Sequence, residues 1–113
     1  NFVEVHDATS FCEIYQLEML GFCEIGSGGK FVEEGHTQLG GKLPVNLSGG
    51  LVSKGHPVGA TGLSMIHELA VQLRGEAEKR QSERNKIGLA ENGGGVIGFE
   101  EAACSVIILE GSH

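Results

Sequence analysis

Nineteen of the 113 residues are glycine and only two are proline, and that imbalance constrains the architecture more than any other feature. No G-X-Y period runs through the glycines, which excludes a collagen-like chain. They gather in a few clusters, where backbone must turn sharply or approach another group closely. The segments between the clusters carry the regular structure. Phe2 to His6 alternates apolar and polar residues, as a half-buried strand does. Thr9 or Ser10 caps a helix that runs to Leu20 and stops at Gly21, with Ser10 and Glu13 in capping-box spacing. Its apolar residues, Phe11, Ile14, Tyr15, Leu17, Met19 and Leu20, go most of the way round, which predicts burial on several sides. Glu18 falls inside that arc and needs a partner, unless the helix is less buried than this.

Residues 24–41 read as an irregular excursion, 42–46 as a short strand and 47–61 as a second glycine-rich loop. Gly62 to Arg74 is an amphipathic helix with Leu63, Ile66, Ala70 and Leu73 on one stripe, followed by a charged, solvated connection over 76–85. Lys86 to Glu91 and Ala102 to Leu109 are strands flanking the third glycine loop, able to pair as an antiparallel hairpin. The last is continuously apolar, as a covered sheet position requires. Strands alternating with helices imply a single α/β layered domain over residues 1–113.

Bulk properties narrow the function. Hydrophobic residues make up 40% and charged residues 20%, which is ordinary for a folded globular chain and excludes wholesale disorder. A formal charge of -7, with Lys and Arg scattered among carboxylates, argues against a non-specific grip on nucleic acid or anionic membrane. No apolar run approaches the ~20 residues that span a bilayer, and no signal peptide is evident. Cys12, Cys23 and Cys104 are odd in number with no CxxC pair, which reads as free thiols in a reducing compartment. The expected location is the cytoplasm, with the peroxisome or mitochondrion open in a eukaryote. The chain starts inside a strand without Met and is expected to be part of something longer.

Three loops stand out: Val5 to Ala8, Asn46 to Gly62 and Glu91 to Gly98. Each follows a strand, and in α/β sheets such loops collect at the carboxyl ends of strands, where ligands bind. His6, His56 and Glu91 are therefore expected to lie close together. Competing motifs fare worse. Gly93-x-Gly95-x-x-Gly98 matches the dinucleotide fingerprint as a string, but no helix follows and too little chain remains. Gly50 to Lys54 lacks P-loop spacing. A zinc site from His6, His36 and Cys12 or Cys23 lacks paired-ligand spacing, so no metal is expected. His36 and His67 read as surface or packing residues.

The middle loop contains Asn46-Leu47-Ser48-Gly49-Gly50 and then Gly55-His56-Pro57-Val58-Gly59-Ala60-Thr61-Gly62. Here the sequence resembles the thiolase superfamily, whose GHPxGATG signature it matches without a gap. NxSGG, the later Gln72-Leu73-Arg74-Gly75-Glu76-Ala77 and Val5-His6-Asp7 resemble the sterol-carrier or lipid-transfer branch. The likeness covers nearly the whole chain and corresponds to the C-terminal part of a thiolase. It implies an α/β half-domain with a mixed sheet and covering helices, acting on a CoA thioester, with no other cofactor. It implies further partners: an N-terminal half bearing the nucleophilic cysteine, a homo-oligomeric copy and a small accessory protein.

The resemblance also assigns residues. His56 matches the histidine that activates the nucleophilic cysteine and helps to hold the thioester oxygen. His6 matches the histidine that lipid-transfer thiolases carry where other thiolases have Asn, holding a water or donating to the same oxygen. Gly93 matches the glycine whose N–H serves the other oxyanion hole. Asn46, Ser48, Gly49, Gly55, Pro57 and Gly59 belong to the substrate loops. Two departures matter. Glu91 stands where most thiolases have an acid/base cysteine, and Ala8 stands where the lipid-transfer HDCF motif supplies one. Glu91 is thus expected to act as the base, its pKa raised by desolvation; Cys12 reads as core. The implied activity is acyl-CoA C-acyltransfer by Claisen or retro-Claisen chemistry, with this chain alone inactive. An aldolase-type lyase on steroid or lipid acyl-CoA and a non-catalytic lipid-transfer or partner subunit are the alternatives.

Overall fold

The computed structural model describes residues 1–98 and 101–112. Strand β1 (Phe2–Glu4) leads to helix α1 (Ser10–Met19), the short helices α2 (Gly28–Glu33) and α3 (Gly50–Lys54), the long helix α4 (Thr61–Leu73), and strands β2 (Ile87–Gly94) and β3 (Ala103–Glu110). The sheet order is β1-β2-β3. β1 pairs with β2 in parallel and β2 with β3 antiparallel, so the sheet is mixed and the expected hairpin is present.

β1 is buried on both faces. Phe2 joins Met65, Leu69, Leu73 and Ala90 against α4, while Val3 and Val5 join Leu17 and Val45 on the α1 side. The alternation in this strand therefore does not mark a solvent face. Glu4 is 1% exposed, and its carboxylate accepts from the Ser48 N–H at 3.1 Å and the Ser48 hydroxyl at 2.7 Å. Loss of water pushes its pKa up to about 6 against those two bonds.

The raised value sets a pH dependence. Its folded-state pKa lies above the ordinary 4.5, so Glu4 contributes most below that value and loses its contribution as pH rises through about 6. Glu4→Gln is expected to stabilise the fold at pH 8 relative to pH 5, by ~1 kcal/mol. Denaturation midpoints at the two pH values check this; an equal variant-to-wild-type difference at both would show that Glu4 is not the group responsible.

Several sequence expectations are corrected. The helix cap is Thr9, whose hydroxyl accepts from Cys12 N–H, rather than a capping box at Ser10. α1 buries only Gln16 and Leu17; Phe11 and Met19 are exposed, and Cys12 is half-buried beside the Thr9 hydroxyl rather than core. Glu18 finds its partner within the chain, accepting from Gly28 N–H at 2.9 Å at the start of α2. That helix lies in the supposedly irregular excursion. Residues 42–46 form no strand, only a single Val3↔Val45 bridge, because Asn46 turns the chain at φ 52°.

On α4 the buried stripe is Met65, Glu68, Leu69, Gln72 and Leu73, and Leu63 is 71% exposed. Two polar residues belong to that stripe because they anchor the connection over 76–85. Gln72 donates to Glu68 and to the Arg80 carbonyl and accepts from Ser82 N–H, and Arg80 pairs with Glu68 at 3.0 Å. A satisfied polar network thus ties down a connection whose charged residues are exposed, as expected. β3 is exposed along most of its length, with Val106, Ile107 and Ile108 open, while Leu109 packs against the α4 core. No described helix is long and apolar enough to cross a membrane.

Candidate active site

The parallel pairing of β1 and β2 places His6 beside Asn92, and the loop before α4 brings His56 over both. His6 Nδ1 lies 2.9 Å from Asn92 Oδ1. The His6 and His56 rings meet edge to face, with centroids 5.0 Å apart. A pocket of about 260 Å³ opens here, lined by His6, His56, Val58, the backbone at Asn92 to Gly95, and Glu101.

His56 Nδ1 lies 2.7 Å from the Thr61 hydroxyl, which also approaches the Pro57 carbonyl at 3.1 Å. Thr61 thus engages Nδ1, and Nε2 is the His56 ring nitrogen without a partner among the described residues. Asn92 Oδ1 is an acceptor, so His6 donates Nδ1–H to it, and His6 Nε2 is an acceptor in the neutral ring and suits a bound water.

The end of β1 is locked to the second loop. Val5 N–H donates to Asn46 Oδ1 at 2.8 Å, and Leu51 N–H donates to Asp7 Oδ1 at 2.7 Å. Gly50, at φ 64°, leaves its missing Cβ position to the Asp7 carboxylate. Asn46, Ser48 and Gly49 do not line the pocket; they bind β1 and turn the chain, Gly49 at φ 103°. Asn46 Nδ2 is buried without a partner among the described residues. Gly55, Pro57 and Gly59 also lie outside the lining and flank the His56 and Val58 that form it.

Glu91 is placed differently from what its motif position suggested. It is 1% exposed and absent from the pocket lining. Its Oε2 accepts from His6 N–H at 3.1 Å and its Oε1 from the Cys104 thiol at 3.3 Å. Burial holds its pKa above the usual carboxylate range, opposed by those two bonds. Cys104 in turn is pushed up to about 11 by desolvation and then by Glu91, so it stays a neutral thiol. Gly93 lines the pocket, and the Glu101 carboxylate fills the space where a Cβ on Gly93 would sit. Ligand atoms of Glu91, Glu101 and Cys104 lie within 4.8 Å of one another, but a thiol held protonated is a poor metal ligand.

The sequence reading missed Thr61, Asn92 and Glu101. Thr61 sits within the His motif itself, five residues after His56. Asn92 follows Glu91 in a strand, so it necessarily faces the opposite side of the sheet. Nothing local marks Glu101.

These features match known proteins. The thiolase C-terminal domain-like family matches residues 1–110, and the chain belongs to that family. It is 52% identical over 96 residues to an acetyl-CoA acetyltransferase of Methanothermobacter thermautotrophicus, covering 85% of this chain and 25% of the relative. It is 50% identical over 110 residues to sterol carrier protein 2 of Bos taurus, covering 89% and 20%. A benzoylsuccinyl-CoA thiolase subunit BbsB of Thauera aromatica is 41% identical, covering 74% and 22%. The chain thus spans a quarter or less of the curated relatives it matches. In fold it is similar to the Ltp2-ChsH2(DUF35) aldolase, with a TM-score of 0.79 at 24% identity, over 99% of this chain and 27% of that one.

Proposed function

We propose that this chain supplies the His-loop half of an acyl-CoA C-acyltransferase that makes or breaks a carbon–carbon bond next to a CoA thioester. The observation that carries this reading is the 2.7 Å contact between His56 Nδ1 and the Thr61 hydroxyl. A proton on Nδ1 donated there leaves Nε2 with a free lone pair at the pocket, as needed to take the proton of a nucleophilic thiol. The resulting imidazolium then donates Nε2–H to the thioester oxygen. His6, edge-on to His56, holds through Nε2 a water whose other hydrogen reaches the same oxygen. Gly93 N–H serves a second oxyanion position, and the Asn46 to Gly59 segment holds this machinery on β1 while flanking the path of the acyl-CoA. The nucleophile is assigned to sequence outside these 113 residues, since none of Cys12, Cys23 and Cys104 lines the pocket.

The test is thiolysis by the complete protein. A 3-ketoacyl-CoA and free CoA should give acetyl-CoA and the shortened acyl-CoA, while the 113-residue chain alone gives neither. A complete protein that cleaves only a 3-hydroxyacyl-CoA, to an aldehyde or ketone, would replace this reading with the aldolase. The second reading is kept because Glu91 and Ala8 stand where the two family acid/base cysteines would be.

A further inference from the structure

We propose that Glu101 is the carboxylate that exchanges a proton with the α-carbon of the bound acyl-CoA, with Glu91 as its buried positioning partner. This deepens the thioester reading above and rests on it. Claisen chemistry needs a base at the α-carbon, and both family cysteines are replaced here.

Of the two nearby carboxylates, Glu91 is enclosed, and each of its oxygens already accepts a fixed donor. Glu101 is half-buried and lines the pocket with His6 and His56. Among the described lining residues it is the one carboxylate. Gln16 Nε2 donates to its Oε1 at 3.3 Å, which anchors one oxygen and leaves the other for substrate. Its carboxylate rests over Gly93, the glycine whose backbone N–H is read as an oxyanion donor. A base and an oxyanion donor are thus side by side, as α-proton removal requires.

The step balances without a further reactant. The α-C–H bond breaks and its proton forms an O–H bond on Glu101. The electron pair moves into the enolate, whose oxygen is held by the donors at His56 and His6. Return of the proton to carbon restores the thioester. Glu91, with an oxygen within 4.8 Å of Glu101 and of Cys104, stands directly behind the base.

The experiment uses the complete protein and reads two exchanges on one acyl-CoA. Deuterium uptake from D₂O at the α-carbon reports the C–H step. Exchange of the bound CoA with labelled free CoA reports acyl transfer, which breaks no C–H bond. Glu101→Gln should lower deuterium uptake by ~10²-fold while CoA exchange continues, and Glu91→Gln should lower uptake by no more than ~10-fold. Undiminished uptake in Glu101→Gln overturns the proposal, as does a larger loss from Glu91→Gln. Loss of both exchanges in Glu101→Gln also overturns it, by showing a role in the fold. A wild-type protein without CoA exchange instead sinks the acyl-transfer reading, and this proposal with it.

Discussion

Replacing His56 by alanine in the complete protein is expected to cut turnover by at least ~10²-fold, the usual cost of losing a positioned base or oxyanion donor. His6→Asn should cost much less, because an amide can also hold a water at that place. The division of labour follows from what each ring nitrogen touches. His56 has Nδ1 fixed by Thr61 and works through a bare Nε2, whereas His6 leans on Asn92 and contributes a hydrogen-bond acceptor. Steady-state rates of the two variants on one 3-ketoacyl-CoA check this. Equal losses would mean that both histidines perform the same task.

Gly50→Ala is expected to be a strongly damaging single-methyl change. Its φ of 64° is left-handed, which costs an L-residue ~1–2 kcal/mol. The added carbon would also overlap the Asp7 carboxylate, and overpacking of that kind costs a further ~1–3 kcal/mol. Asp7 can retreat only by giving up its 2.7 Å bond from Leu51 N–H, which would loosen the join between β1 and the second loop. Chemical denaturation of the complete protein should show a loss of ~2–5 kcal/mol. In an Asp7→Ala background the same substitution should cost only the left-handed share. A penalty that stays undiminished there would show that the clash is not its source.

Glycine and proline made the His loop legible, since both act locally and without reference to distant residues. β1 and β3 were legible because apolar runs rich in β-branched residues need little context, but β2 only in part: it runs on through Asn92 to Gly94, which glycine content had marked as loop. What depended on tertiary contacts was not. α4 looked amphipathic through Leu63 and Ala70, yet its buried side includes Glu68 and Gln72 because Arg80 and Ser82 return to bond them. α2 hid behind two glycines because its start is capped by Glu18 from another helix. The apolar run of β3 suggested cover, which among the described residues reaches Leu109 but not Val106 to Ile108. Glu91 occupied the family's acid/base position in the motif, but motif position does not say which way a side chain points. Glu101 carried no signal, because it reaches the pocket through the path of a loop rather than through a period.

The pleat of β2 has a consequence for how such a site can change. Glu91 and Asn92 are neighbours in sequence but project to opposite faces, and β2 is held in register by β1 on one side and β3 on the other. A one-residue slip would invert every side chain of the strand, carrying the Glu91 carboxylate to the histidine side and Asn92 away from it. Deleting or inserting a single residue between Lys86 and Ala90 would therefore do more than shift the strand. It would rewire which face of the sheet carries the negative charge. A bulge tolerated at that place is a route by which one scaffold could trade a cysteine-based proton carrier for a carboxylate without rebuilding the histidine loop.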